Sequence, residues 1–111
     1  MDDMDDVEIS ADEAMACFKG KEAVFVDVRD AGSYADSHIP GAINVTDGKI
    51  DEFIGQADTS KHHIIYCYHG NSSRGGAAYF LDNGFSAVHS LTEGFTLWNA
   101  LFPDDVESSE D

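Results

Sequence analysis

A chain of 111 residues fits one compact domain, and its 42% hydrophobic content is enough to fill one core. Its 22 acidic residues against 6 basic ones give a formal net charge of -16, which argues against nucleic acid and anionic membranes as partners. No run of 18 apolar residues occurs, and the acidic Met1–Asp6 segment stands where a secretory signal would be basic. The expectation is a cytoplasmic protein with no membrane span. Many carboxylates with four lysines would also suit a salt-rich cytoplasm, where the repulsion is screened.

In chain order, Val7 and Ile9 suggest a short first strand. Ser10 followed by Glu13 forms a capping-box pattern that predicts a helix over about 11–18. The run from Ala23 to Val28 is too apolar for a half-wet strand and reads as a buried parallel one. A short helix is expected over Ser33–Ser37, stopped before Pro40-Gly41, with a short strand over Ala42–Val45. Ile50, Phe53 and Ile54 share one helical face over about 49–56.

His63 to Cys67 reads as a second buried strand, followed by a polar loop over 68–72 and a helix from about 73 to 82. Asn83-Gly84 supplies its left-handed stop. Phe85 to His89 suggests the last strand, and Phe95, Trp98, Leu101 and Phe102 a final helix ended by Pro103. This alternation predicts an α/β fold with a mainly parallel sheet covered on both faces. The acidic segments 1–6 and 103–111 read as solvated, flexible tails.

The two cysteines sit in different surroundings. Cys17 lies among Ala14, Met15, Ala16 and Phe18, as a buried small hydrophobe would. Cys67 ends an apolar run and opens the polar segment Tyr68-His69-Gly70-Asn71-Ser72-Ser73-Arg74. Such a loop lies beyond the carboxyl end of a parallel strand, where ligand sites gather. It feeds a helix whose unpaired N–H groups can converge on a small anion and lower the cost of a thiolate. Gly70 permits the tight curl of amides, and Ser72 and Ser73 add hydroxyl donors or caps. Arg74 is a cation in a first helical turn, an unfavourable place unless it faces a bound anion or an acidic neighbour.

Two other readings of Cys67 remain open on local pattern. It could be an ordinary core residue at a strand end. A metal site would need His62 or His63 to fold back toward Cys67 and His69, and no second compact Cys/His pair accompanies them. A dithiol mechanism is absent because no cysteine stands two or three residues away.

Three separated blocks together resemble the single-domain rhodanese family, the thiosulfate sulfurtransferases, of the small bacterial GlpE type. They are Val26-Asp27-Val28-Arg29-Asp30, running on through Tyr34 to His38-Ile39-Pro40-Gly41-Ala42-Ile43-Asn44; the Cys67–Arg74 segment; and Glu93-Gly94-Phe95 with Trp98. The resemblance covers roughly residues 7–102. It implies a three-layer α/β/α fold with a five-stranded parallel sheet in the order 3-2-4-5-1. It also implies that Cys67 is the nucleophile, that the backbone of 68–72 surrounds the transferred sulfur, and that Asp27 and Arg29 support the architecture.

Three positions depart from the family pattern. Ser37 stands where a glycine is common, Glu93 replaces the first glycine of Gly-Gly-Phe, and Arg74 stands where lysine is frequent. Both glycine replacements are expected at unstrained backbone.

The implied reaction takes a sulfane sulfur from a small anionic donor such as thiosulfate onto Cys67 as a persulfide. A small thiol or a reduced protein dithiol would then accept it, with no cofactor and no metal. Alternatives are a persulfide carrier serving one protein, a noncatalytic rhodanese-like module, or a phosphatase or arsenate reductase. The last usually needs C-x5-R, whereas six residues separate Cys67 from Arg74.

Overall fold

The computed structural model describes residues 7–67 and 71–108. The elements are β1 (Glu8–Ile9), α1 (Ala11–Gly20), β2 (Val24–Asp27), α2 (Ala31–Asp36), β3 (Ile43–Asn44), α3 (Ile50–Gln56), β4 (His62–Tyr66), α4 (Asn71–Asp82), β5 (Ala87–Leu91) and α5 (Gly94–Leu101). All strand pairings in the sheet are parallel, and the order β1-β5-β4-β2-β3 is the expected one read from the other edge.

Two helix starts follow from their caps. The Ser10 hydroxyl accepts from the Glu13 N–H at 3.1 Å and donates to the Glu13 carboxylate at 3.1 Å. Asp30 accepts from the Ser33 N–H at 3.1 Å, so α2 begins at Ala31, two residues before the expected start.

Neighbouring residues of the central strands serve opposite cores, which explains their unbroken apolar runs. Phe25, Ile64, Tyr66 and Leu91 pack with Met15 of α1 and with Phe95 and Trp98 of α5. Val26, Ile65 and Val88 pack with Ala77 and Phe80 of α4, with Phe53 and Ile54 of α3 alongside. Successive strand side chains alternate between faces, so a sheet covered twice needs apolar residues throughout.

Two expectations are corrected. Phe85 is core but not strand: the Phe85 N–H donates to the Phe80 carbonyl at 3.2 Å, and Gly84 turns at φ +93. The residue therefore belongs to the C-terminal cap of α4, and β5 starts at Ala87.

The segment from 103 is not a free tail as far as Ser108. Glu107 and His38 exchange backbone hydrogen bonds of 2.8 and 2.9 Å, the Trp98 indole donates to the Asp105 carbonyl at 2.9 Å, and Ser108 Oγ donates to the Ala35 carbonyl at 2.9 Å. Acidity does not prevent this docking because the Glu107 carboxylate has partners. It accepts from the Gly41 N–H at 3.0 Å and lies 3.2 Å from His38 Nε2. These contacts, the Gly41 bond foremost, hold its carboxyl below the usual range. Residues 1–6 and 109–111 lie outside the described residues.

Candidate active site

β4 delivers Cys67 at its carboxyl end, beside the first turn of α4. Cys67 is buried at 8% exposure, with Sγ 3.5 Å from Ser73 Oγ. Ser73 Oγ is in turn 2.7 Å from Ser90 Oγ of β5, and both serines are wholly buried. The pairing of Ile65 with Ser90 puts the second serine beside β4. If the sulfur is ionised, Ser90 can donate to Ser73 and Ser73 to the sulfur, so the hydroxyl dipoles align toward negative charge. The Cys67 carbonyl accepts from the Phe95 N–H at 2.7 Å, which ties the residue to the start of α5.

Helix α4 starts at Asn71, two residues earlier than the sequence reading placed it, so Asn71 and Ser72 belong to its first turn. The positive end of a helix of 12 residues therefore lies beside Cys67. Tyr68, His69 and Gly70 lie outside the described residues, as do the side chains of Asn71 and Ser72. Arg74 is half-buried, and its Nη1 lies 4.0 Å from the Glu8 carboxylate on β1. That acidic neighbour is one partner for a cation in this turn. The pair is partly exposed and contributes little to stability.

Asp27 and Arg29 form a closed ion pair under the site. Arg29 Nη2 donates to Asp27 Oδ2 at 2.6 Å, and its backbone N–H donates to Oδ1 at 2.8 Å. A further 2.6 Å bond runs from Nη2 to the Ser37 carbonyl. The guanidinium carbon stands 4.3 Å from the Phe95 ring centroid, a cation–π contact with the residue that holds the Cys67 carbonyl. Tyr66 completes the layer: its hydroxyl accepts from the Ile39 N–H at 3.1 Å. Burial, with the Asp27 carboxylate adding, pushes the phenol pKa far upward. Both side chains are buried, an arrangement suited to architectural support.

Other candidates fall elsewhere. Cys17 is half-buried rather than buried, and its thiol pKa is pushed up by burial and then by Glu22 and Glu13. His62 Nε2 lies 2.8 Å from His89 Nδ1, while His63 is ringed by Phe53, Phe80 and Phe85. Among the described residues, no three His, Cys, Asp or Glu side chains gather into a metal-holding group.

Ser37 has φ -165, ordinary extended backbone. Glu93 does not meet the same expectation: it stands at φ +58, a left-handed conformation that glycine adopts freely and glutamate does not. Ser90, Tyr66 and Glu107 were missed by sequence reasoning. None of the three carried a signal of its own, and Ser90 fell just past the strand expected over Phe85 to His89.

A family model described as the rhodanese-like domain matches residues 10–101. The thiosulfate sulfurtransferase GlpE of Pseudomonas savastanoi pv. phaseolicola is 46% identical over 84 residues, which cover 76% of this chain and 79% of that one. The protein of the same name from Stutzerimonas stutzeri is 46% identical over 88 residues, covering 79% and 81%. The crystal structure of the BH2092 protein from Bacillus halodurans matches at TM-score 0.79 and 28% identity, over 94% of this chain and 78% of that one. No helix among the described residues is long and apolar enough to cross a membrane. With its sheet order, its cysteine at the end of β4 and these matches agreeing, the chain belongs to the rhodanese-like domain family.

Proposed function

We propose that this protein is a thiosulfate sulfurtransferase that works through a persulfide on Cys67. The observation that carries the reading is the Cys67 sulfur set against the first turn of α4, 3.5 Å from a buried hydroxyl, in a chain 46% identical to sulfurtransferases. In the first half-reaction the Cys67 thiolate attacks the outer sulfur of thiosulfate. A new S–S bond forms, the old S–S bond breaks, and sulfite leaves with its electron pair. The terminal sulfur of the persulfide then carries the negative charge.

Amides of the 68–72 segment, the Ser73 hydroxyl and the helix field are the groups proposed to stabilise that charge. In the second half-reaction an acceptor attacks the terminal sulfur and releases the Cys67 thiolate. Cyanide serves in assay and becomes thiocyanate; a small thiol or reduced protein dithiol is the proposed natural acceptor. Ping-pong kinetics follow from the covalent intermediate.

Intact-mass measurement after thiosulfate treatment tests the reading. The parent should gain one sulfur that cyanide removes, and Cys67→Ser should gain none. Absence of the adduct across several sulfane donors would refute it and favour a noncatalytic module.

A further inference from the structure

The amino-terminal ends of the parallel strands, opposite the site, carry an unusual charge pattern. Val24, the first residue of β2, lines three adjoining hollows. The largest, with a volume of 570 Å³, lies toward α1 and includes Phe18, Pro40 and Ile43; another, of 390 Å³, lies toward α3 and includes Phe53 and Ile43. Ile43 therefore stands between two hollows on the edge strand β3, and it is 44% exposed.

Three of the four lysines in the chain, Lys19, Lys21 and Lys61, line this bay. Among the described residues, two carboxylates, Glu22 and Asp58, line it with them, so this lining is net positive while the rest of the chain holds twenty acidic residues. Asp58 is already engaged by the Ser60 N–H at 3.0 Å and hydroxyl at 2.6 Å. Among the described residues, no ion pair engages any of the three lysines. Lys21 also holds φ +56 just after α1, where glycine would sit without strain.

We infer that this bay is a docking surface for an extended acidic segment of a partner protein, anchored by one bulky apolar side chain. The hollows on either side of Ile43 would take the anchor, the open edge of β3 would take the extended backbone, and the lysines would take the carboxylates. Charge also sets the register. An acidic segment is repelled by the remainder of a -16 surface, so the bay is where approach is favourable. The surface lies at the far end of the sheet from Cys67, about 16 Å away along β4, so a docked partner leaves the mouth of the site open.

The test uses the full chain and a short fluorescein-labelled peptide of alternating Asp and Glu around a central Phe. Fluorescence anisotropy at low ionic strength should show binding in the micromolar range, weakened by added salt. The triple variant Lys19→Glu, Lys21→Glu, Lys61→Glu should lose at least about tenfold in affinity. Its thiosulfate:cyanide turnover, compared at an ionic strength that screens the added charge, should match the parent's, which also reports that it is folded. Lys49→Glu, a lysine outside the bay, should bind like the parent, and a peptide with Ser for Phe should bind more weakly. The single variant Ile43→Glu offers a second probe should the triple variant fail to fold, and it should reduce binding likewise. No binding by the parent, or equal loss in Lys49→Glu, would overturn the assignment. Both outcomes are independent of whether Cys67 forms a persulfide.

Discussion

Replacing Arg29 by methionine would strip the Asp27 carboxylate of its guanidinium while leaving it fully buried. Three side-chain N–H bonds to Asp27, of 2.6 to 3.1 Å, would go, together with the 2.6 Å bond to the Ser37 carbonyl. The side chains of the pair are 3% and 0% exposed, so water cannot substitute. Breaking a buried pair from one side costs about 3–5 kcal/mol, a large part of the roughly 5–15 kcal/mol that holds a domain of this size together. The thermal midpoint should fall on the order of 15 °C.

Arg29→Lys keeps the charge but not the fork, and should lose about half as much. Adding Asp27→Asn to Arg29→Met should restore about 1–2 kcal/mol, because the stranded charge is then gone. Urea and thermal unfolding followed by circular dichroism measure all four proteins. A loss below about 1 kcal/mol in Arg29→Met, or no recovery in the double variant, would refute the view that this pair is an interdependent buried unit.

Four further outcomes are expected. Glu93→Gly should raise stability by about 0.5–1 kcal/mol by relieving the left-handed glutamate, whereas Glu93→Ala should not; equal gains in urea unfolding would point to charge instead of strain. Ser73→Ala combined with Ser90→Ala should raise the apparent thiol pKa in iodoacetamide alkylation and lower kcat/KM by roughly fivefold, for about 1 kcal/mol of lost stabilisation. The pKa values of His62 and His63 are lowered, mainly by burial, so below about pH 6.5 the unfolded chain binds protons that the folded one resists. Stability should therefore fall from pH 7.5 to 5.5, and His63→Gln should flatten that fall in urea titrations. Turnover of thiosulfate should rise with moderate inert salt, because screening relieves repulsion between a dianion and the acidic surface; a steep monotonic fall in kcat/KM would contradict this.

The sheet was legible because the runs at 23–28 and 63–67 are mostly apolar, too short for typical helices and preceded by turn-forming residues, as buried parallel strands are. Boundaries shifted where local chemistry served a neighbouring element. Phe85 has the composition of a strand residue, yet its backbone closes the end of α4. Asn71 and Ser72 look like loop residues but open the same helix. Within the site, the cysteine at a strand–helix junction could be read directly, and so could Asp27 and Arg29 through the family resemblance. Ser90 could not be joined to Cys67 because their proximity depends on sheet register, 23 residues apart in sequence. The left-handed Glu93 was likewise hidden, since only coordinates reveal the sign of φ.

The contacts made by residues 105–108 bear on where this domain stops. The family match closes at residue 101, yet the indole of Trp98 finds its acceptor at Asp105, and the loop His38–Gly41 finds its carboxylate at Glu107. A chain cut at the edge of the match would leave a deeply buried indole N–H and a buried imidazole short of partners. The hydrogen-bonded fold therefore reaches past the matched residues as far as Ser108, and this last stretch of chain lies against Ala35, His38 and Trp98 like a clasp.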